Sequence, residues 1–357
     1  MATPASAKTP SPGAAYRVGA IVVGLIFIAG LVLLTGHSPI DVLVAMVKAA
    51  FGTEDQFARV LATLVPLTLC ACGLIFTFNA GLYNLGVEGQ MIIGGIAATL
   101  ALRLLQDSAP GPVAMAVAIL AGIAGGVVWA LLAGALNVFG RISEIFAGLG
   151  LNFVAQGLAV YLIFGPWKRP GVASMSGTAP FPETLWLPTI GKTEASPVAL
   201  IAGLVVLVFT VIVMRNTYFG LRLRAVGLNP RSSTVQGIPA TRYLLSAFAL
   251  SGAMAGLAGG LQVLAIFHRL IPNISSNLGF LSLLIVMLGN FNALFVLPLA
   301  FFFSALNVGS LTLPIQFQLE SALAGVIQGV LVLAALIGRG LSQQARARAR
   351  AAAVRKG

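Results

Sequence analysis

An all-α polytopic membrane bundle of about ten transmembrane helices is the fold class the sequence predicts. Three observations predict it. Of the 357 residues, 58% are hydrophobic and only 8% charged. Mean hydropathy is +0.99. Apolar runs of about 17 or more residues, each able to cross a hydrocarbon core of about 30 Å, recur along the chain. Soluble domains carry about 25% charged residues, so no soluble domain is expected.

The runs lie at 18–34, 60–78, 90–105, 112–139, 144–164, 197–214, 243–267, 280–288, 294–309 and 319–337. The first follows Lys8 and Arg17 as a secretory signal would. It is long, however, and ends in Thr35-Gly36-His37 instead of a small-x-small cleavage site, so it reads as a retained helix. Residues 1–17, rich at their start in Ala, Ser, Thr and Pro, read as a flexible cytoplasmic tail. Cys70 and Cys72 sit two apart on different faces of the second run, which fits packing and neither a metal site nor a disulfide. Gly122 with Gly126, and Gly252 with Gly256 and Gly260, place small residues four apart, the spacing that lets helix backbones approach closely in lipid. The eighth run is short and reads as a broken or re-entrant element.

Between the second and third runs stands Phe78-Asn79-Ala80-Gly81-Leu82-Tyr83-Asn84-Leu85-Gly86-Val87-Glu88-Gly89-Gln90. In lipid an interrupted helix is tolerated only where its freed N–H and C=O groups face protein or a wet cavity, and such breaks mark permeation paths. The alternative is an ordinary turn at the membrane surface. On the first view Asn79, Asn84 and Gln90 line the path, with Asn152 contributing, because an amide offers a donor and an acceptor without a counter-charge and so suits an uncharged solute. A lone carboxylate at mid-depth costs about 2.5 to 3.5 kcal/mol. Glu88 is therefore expected to be structural, accepting from N–H groups freed by Gly86 and Gly89, and Glu144 is assigned the same kind of role. Glu144, Gly148, Asn152 and Gln156 form a slowly rotating stripe, suited to a polar path or to hydrogen bonding between helices. Asn84-Leu85-Gly86 and Asn277-Leu278-Gly279 each precede an apolar run about five spans apart, an odd offset that predicts an inverted internal repeat.

The net charge of +12 is concentrated in two places. Arg215, Arg222, Arg224, Arg231 and Arg242 share one loop, and Arg339, Arg346, Arg348, Arg350, Arg355 and Lys356 form the tail at 339–357. The positive-inside rule makes both cytoplasmic, and Lys8 and Arg17 put the N-terminus on the same side. The loop with Asp41, Glu54 and Asp55 is then outside. On so apolar a chain the basic tail fits a topogenic or lipid-facing role, not nucleic-acid binding. The outside segment 165–196, with Pro166, Pro170, Pro180, Pro182 and Pro188 beside Trp167 and Trp186, suits an ordered interfacial loop that receives a partner or caps the bundle. Gly191-Lys192-Thr193 looks like the end of a phosphate-binding loop, but Trp186 stands where that motif needs glycine, so ATP chemistry must come from elsewhere. The expected organisation is the tail, a transmembrane domain over 18–338 containing an arginine-rich cytoplasmic segment at 215–242, and the basic tail.

The motif at 78–90 resembles the signature of permease subunits of ABC importers. The branch is that of ribose-type and branched-chain-amino-acid-type permeases, and the match is most similar to nucleoside and simple-sugar uptake permeases that work with a lipoprotein receptor. Residues 223–231 with Gly237-Ile238, followed by 245–259, resemble that family's cytoplasmic coupling segment and next helix. Leu288-Gly289-Asn290-Phe291-Asn292 is a looser third match. The resemblance covers about 60–309 and implies that Arg222, Arg224, Gly227, Asn229, Pro230, Arg231 and Gly237 couple to an ATPase. It also implies a like or related second permease, two ATPase subunits that bind ATP and Mg, an external substrate-binding protein or lipoprotein, and a bacterial inner-membrane location. The chain itself then has no cofactor and no catalysis, and no nucleic-acid partner. A nucleoside is the implied solute, with a simple sugar such as ribose as the alternative. One departure concerns the fifth run, where the family often shows a glutamate, paired threonines and an asparagine. Glu144 and Asn152 match, but Ala147 and Gly148 replace the threonines.

Two other classes fit less well. An ion-coupled secondary carrier places ionisable residues inside the membrane, whereas Glu88, Glu144 and Glu320 lie near run ends, His268 lies at an outer edge, and no charged pair falls mid-span. A membrane transferase acting on a phosphorylated substrate needs metal-binding carboxylate clusters, and only nine acidic residues are present, mostly dispersed.

Overall fold

A computed structural model describes residues 12–169, 171, 176–318 and 322–354. Lys8, Pro170, Ser174, Glu320, Arg355 and Lys356 lie outside the described residues. Among the described residues there is no strand. The helices are α1 (Pro12–Leu34), α2 (Pro39–Phe51), α3 (Glu54–Asn79), α4 (Val87–Leu105), α5 (Gly111–Val138), α6 (Glu144–Phe164), α7 (Pro197–Asn216), α8 (Tyr218–Leu228), α9 (Pro230–Val235), α10 (Ala240–Leu261), α11 (Leu278–Leu288), α12 (Val296–Ser310), α13 (Leu313–Phe317) and α14 (Ala322–Val354). Eight helices are long and apolar enough to cross a membrane, and α1 with α2 makes a further pair bent by 101°. The short eighth run of the sequence is the eleven-residue α11.

Three boundaries differ from expectation. The first helix starts at Pro12, ahead of the apolar run, and α14 carries the helix through the basic tail as far as Val354. The loop containing Asp41 is helix α2, whose amphipathic sequence, interrupted by Asp41 and Lys48, hides it from a search for apolar runs. Its start is nonetheless well specified: Ser38 accepts from the Asp41 N–H and proline occupies the first turn.

The chain forms two compact units, residues 1–52 with 306–357, and residues 53–305. In the first, α1 and α14 lie side by side, and an apolar cluster of Val32, Val42, Met46, Leu313 and Ile327 joins α1, α2, α13 and α14. Gly24 permits that pairing, since a Cβ there would stand 2.7 Å from Ala334 Cβ.

In the second unit α3 is buried nearly throughout from Val60 to Phe78, as a helix apolar on every face should be. Helices α4, α5 and α10 meet through glycines. Gly94 lies against Gly256 and Gly260 near Ala98, so α4 and α10 run parallel; Gly126 lies against Gly252 and Gly122 against Gly256, so α5 runs antiparallel to α10. A Cβ at Gly126, Gly252, Gly256 or Gly259 would overlap a neighbouring backbone carbonyl. With no hydrophobic drive between helices in lipid, this backbone contact is what holds them. Helix α10 then widens into a π-helical turn, Gln262–Phe267, and stops at His268, which adopts a left-handed conformation at φ 53.

Candidate functional site

The sequence break resolves into a short irregular segment between Asn79 and Val87. Gly81, at φ +77, turns the chain, and Leu82 N donates back to Thr77 O at 2.9 Å. The segment then enters the bundle. Asn84 is fully buried: its Nδ2 donates to Ser251 Oγ at 2.9 Å and Gln90 Oε1 at 3.3 Å, and its Oδ1 accepts from Gly86 N at 3.1 Å and Gln90 Nε2 at 3.2 Å. Asn152 on α6 completes the cradle, accepting from Gly89 N at 2.8 Å and donating to Leu85 O at 2.8 Å. Asn84 and Asn152 thus satisfy the backbone at the start of α4, as burial requires, and Gln90 holds Asn84 in place. Asn79 donates to Ile75 O at 2.8 Å and to Phe291 O at 3.2 Å, and it borders a larger cavity.

Glu88 is 4% exposed. The N–H groups expected to reach it, those of Gly86 and Gly89, are taken by Asn84 and Asn152. Glu88 Oε2 accepts instead from Phe280 N at 3.2 Å, in the first turn of α11, where Gly279 leaves no room for a Cβ. A carboxylate at a helix N-terminus meets unsatisfied N–H groups and the positive end of the dipole. The two Asn-Leu-Gly sequences therefore open two helices that start at one junction. From it α11 runs parallel to α3, with Ser282 bonded to Leu67 O and Asn79 to Phe291 O.

Glu144 Oε1 accepts from Tyr83 N at 3.3 Å and Oε2 from Asn137 Nδ2 at 3.2 Å, fastening the start of α6 to the break. Gly148 lies against Gly86, and Gln156 donates to Pro272 O at 2.6 Å. The polar stripe of α6 is thus spent on helix contacts. Its other face, with Phe146, Gly150, Phe153, Gly157 and Tyr161, is exposed.

The arginine-rich segment forms two short helices, α8 and α9. Asn229 Oδ1 caps α9 by accepting from Ser232 N at 3.0 Å, Pro230 occupies its first position, and Gly237, at φ +81, ends it. Arg222 and Arg231 are exposed. Arg224, exposed like them, donates to Met214 O at the end of α7. Gly227 packs on the end of α3, where a Cβ would overlap Asn79 O, while Gly81 in return faces Gly227 O at 2.9 Å from where its own Cβ would be. This glycine-to-glycine contact joins the two segments that the sequence singled out.

Sequence reasoning missed Ser251, which also donates to Gln90 Oε1 at 3.4 Å. The proline-rich loop, read from the sequence as receiving a partner or capping the bundle, forms a strap over the end of α10. Thr178, Phe181 and Leu187 donate backbone N–H groups to the carbonyls of Leu270, His268 and Leu264 at 2.9, 2.9 and 3.1 Å. Trp186 stacks on His268 at 3.9 Å between centroids, and burial pushes the imidazole below its ordinary 6.5. The signal available was the proline-rich setting of Trp186.

Over residues 56–336 the chain matches the family described as branched-chain amino acid transport system / permease component. The chain belongs to that family. Among its relatives, the glucose ABC transporter permease protein TsgB13 of Haloferax volcanii is 28% identical over 305 residues, 83% of this chain and 80% of that one. The guanosine ABC transporter permease protein NupP of Bacillus subtilis is 25% identical over 319 residues, 88% and 90% of the two chains. The nucleoside ABC transporter permease protein NupB of Lactococcus lactis is 26% identical over 300 residues, 82% of each. The match to the permease family spans the break at 80–86, the pair α8 and α9, and the Glu88 junction.

Proposed function

We infer that the chain is the membrane-spanning permease subunit of an ATP-driven importer for a nucleoside. The observation that carries the mechanism is the contact of Gly227 with the end of α3, because it puts a short arginine-bearing helix directly against the broken element. ATPase subunits gripping α8 and α9 through the exposed Arg222 and Arg231 move that contact when ATP closes them, and the breaks before α4 and α11 change the bundle between two states. ATP and Mg are held by those subunits, so this chain performs no covalent chemistry. A second permease and an external binding protein complete the importer, which sits in the bacterial inner membrane with both termini and the 215–242 segment cytoplasmic.

Asn79, Asn84, Gln90 and Asn152 belong to the structure around the path, and solute reaches them only when the bonds they make to protein groups open. The nucleoside assignment is supported by the guanosine and nucleoside permeases among the relatives, each sharing more than three-quarters of this chain. The glucose permease supports a simple sugar as the second reading. Uptake by the reconstituted importer with its own receptor decides between them: labelled guanosine or uridine should accumulate with ATP and be displaced by unlabelled nucleoside. Accumulation of glucose or ribose with no response to nucleosides would replace this assignment by the sugar.

A further inference from the structure

Between α3, α7, α8 and the turn that follows α11 lies a polar cavity of about 510 Å³. Asn79, Arg215, Arg224, Asn290, Phe291 and Asn292 line it, and no acidic residue is among its described lining. Its side chains supply several donors. Arg224 uses part of its five-donor fork on Met214 O. Asn292 Oδ1 accepts from Leu294 N at 3.2 Å, which leaves its Nδ2 group to donate. Asn79 has spent its Nδ2 group and keeps Oδ1 as an acceptor. The turn is held in the left-handed region at both Asn290 (φ 55) and Phe291 (φ 59), and for phenylalanine that is an outlier of the kind found at ligand clamps. Helices α3, α7 and α11 end here, each bringing about half a negative charge. Two guanidinium groups oppose that charge and exceed it.

Guanidinium and amide donors, the amide oxygens of Asn79 and Asn290 and an aromatic side chain suit an anion carried on a small organic body. The guanidinium fork matches phosphate oxygens in particular. The volume falls within the range of about 300–1,000 Å³ typical of small-molecule sites and exceeds what an inorganic phosphate fills. We propose that this cavity binds a soluble phosphate monoester, the phosphorylated form of the imported solute, and that its occupancy slows transport. The ester bridges α8 to the turn after α11, so it holds one arrangement of the elements that the coupling contact must move. The binding stands on the cavity alone; its use as product feedback rests on the importer reading above.

The test uses the whole importer, with its ATPase subunits and receptor. Equilibrium binding of labelled guanosine monophosphate and of glucose 6-phosphate is measured on the purified complex, with guanosine and inorganic phosphate as competitors. One ester should bind more tightly than either competitor, with Arg215→Gln weakening it at least tenfold and Arg215→Lys less. In vesicles, the ester on the side bearing α8 should slow wild-type uptake at concentrations that leave Arg215→Gln uptake unaffected, each protein being compared with its own ester-free rate. Absence of Arg215-dependent binding by either ester would overturn the site. Displacement of the ester by phosphatidylglycerol would give the cavity to a lipid headgroup and overturn the soluble ligand. Loss of the ATPase subunits from Arg215→Gln would make the arginine a subunit contact and overturn the proposal likewise. Ester binding that leaves uptake unchanged would overturn the feedback. A complex that binds ester but transports neither nucleoside nor sugar would instead sink the importer reading.

Discussion

Glu88 and Phe280 are 192 residues apart in sequence and 3.2 Å apart at carboxylate oxygen and backbone N–H. The bond sets the N-terminus of α11 on the first turn of α4, so the two broken elements share one anchor. A hydrogen bond contributes about 0.5–1.5 kcal/mol net, and a buried donor left alone loses about 1–3 kcal/mol. Glu88→Ala should therefore sharply lower the yield of assembled complex. Glu88→Gln keeps an oxygen acceptor and should lose less, with the order of preference among solutes unchanged in both. The check is complex yield and competition uptake side by side; a changed solute order with full yield would make Glu88 a solute contact.

Asn84 makes bonds to three partners, and all of them are protein groups. Asn84→Ala should destabilise the solubilised complex by about 1–3 kcal/mol, since it strands Gly86 N and takes one partner from Ser251 Oγ in a buried site. A double-mutant cycle with Ser251→Ala should show coupling, because each change removes the other's partner. Additive losses in melting temperature would show that the 2.9 Å contact contributes nothing.

What was legible in the sequence was whatever depends on local composition. Apolar length marks the spans, paired small residues mark the contact of α5 with α10, and the polar glycine-rich interruption marks the break. What was hidden depends on pairs far apart in the chain. Nothing near Ser251 announces that it meets Asn84 across 167 residues. The polar stripe on α6 was visible, but periodicity cannot say whether amides face a solute or the open end of a neighbouring helix. Gly227 was marked only by resemblance, because the reason for a glycine there is the backbone of Asn79, which no local pattern contains.

The Trp186–His268 stack should make the strap sensitive to acid. The folded-state pKa lies below the ordinary 6.5, so as pH falls through that value the unfolded chain binds the proton first. Stability is therefore unaffected above the ordinary value and declines below it. Melting temperature followed from pH 7.5 down to about 5.5 should fall more for the wild type than for His268→Phe, which keeps a ring against Trp186 and removes the titrating group. Equal declines would place the acid sensitivity elsewhere.

The sidedness assigned to the arginine-rich segments can be read with single cysteines. Cys70 and Cys72 are completely buried, so the background should be silent. Ser232 in α9, Gln343 in α14 and Lys192 in the loop before α7 are all exposed. Cysteines at 232 and 343 should resist an impermeant reagent added outside intact cells, and one at 192 should react. After permeabilisation all three should react, which separates sidedness from burial. Labelling of 232 but not 192 in intact cells would invert the topology.

Gly227→Val tests the contact on which the coupling argument rests. A side chain there meets the carbonyl of Asn79, a backbone atom that cannot swing aside, so α8 must move away from the end of α3 or the end of α3 must distort. Neither change touches the apolar packing of α4, α5 and α10, which lies deeper in the unit. The variant should therefore reach the membrane in normal amount while solute uptake falls at least tenfold, and stimulation of ATP hydrolysis by the loaded receptor should be lost with it. Gly227→Ala should fall between, because even a methyl carbon overlaps the same carbonyl. Membrane abundance by immunoblot, uptake and hydrolysis are read on one preparation; normal uptake by the valine variant would mean that the α8 contact with α3 transmits nothing.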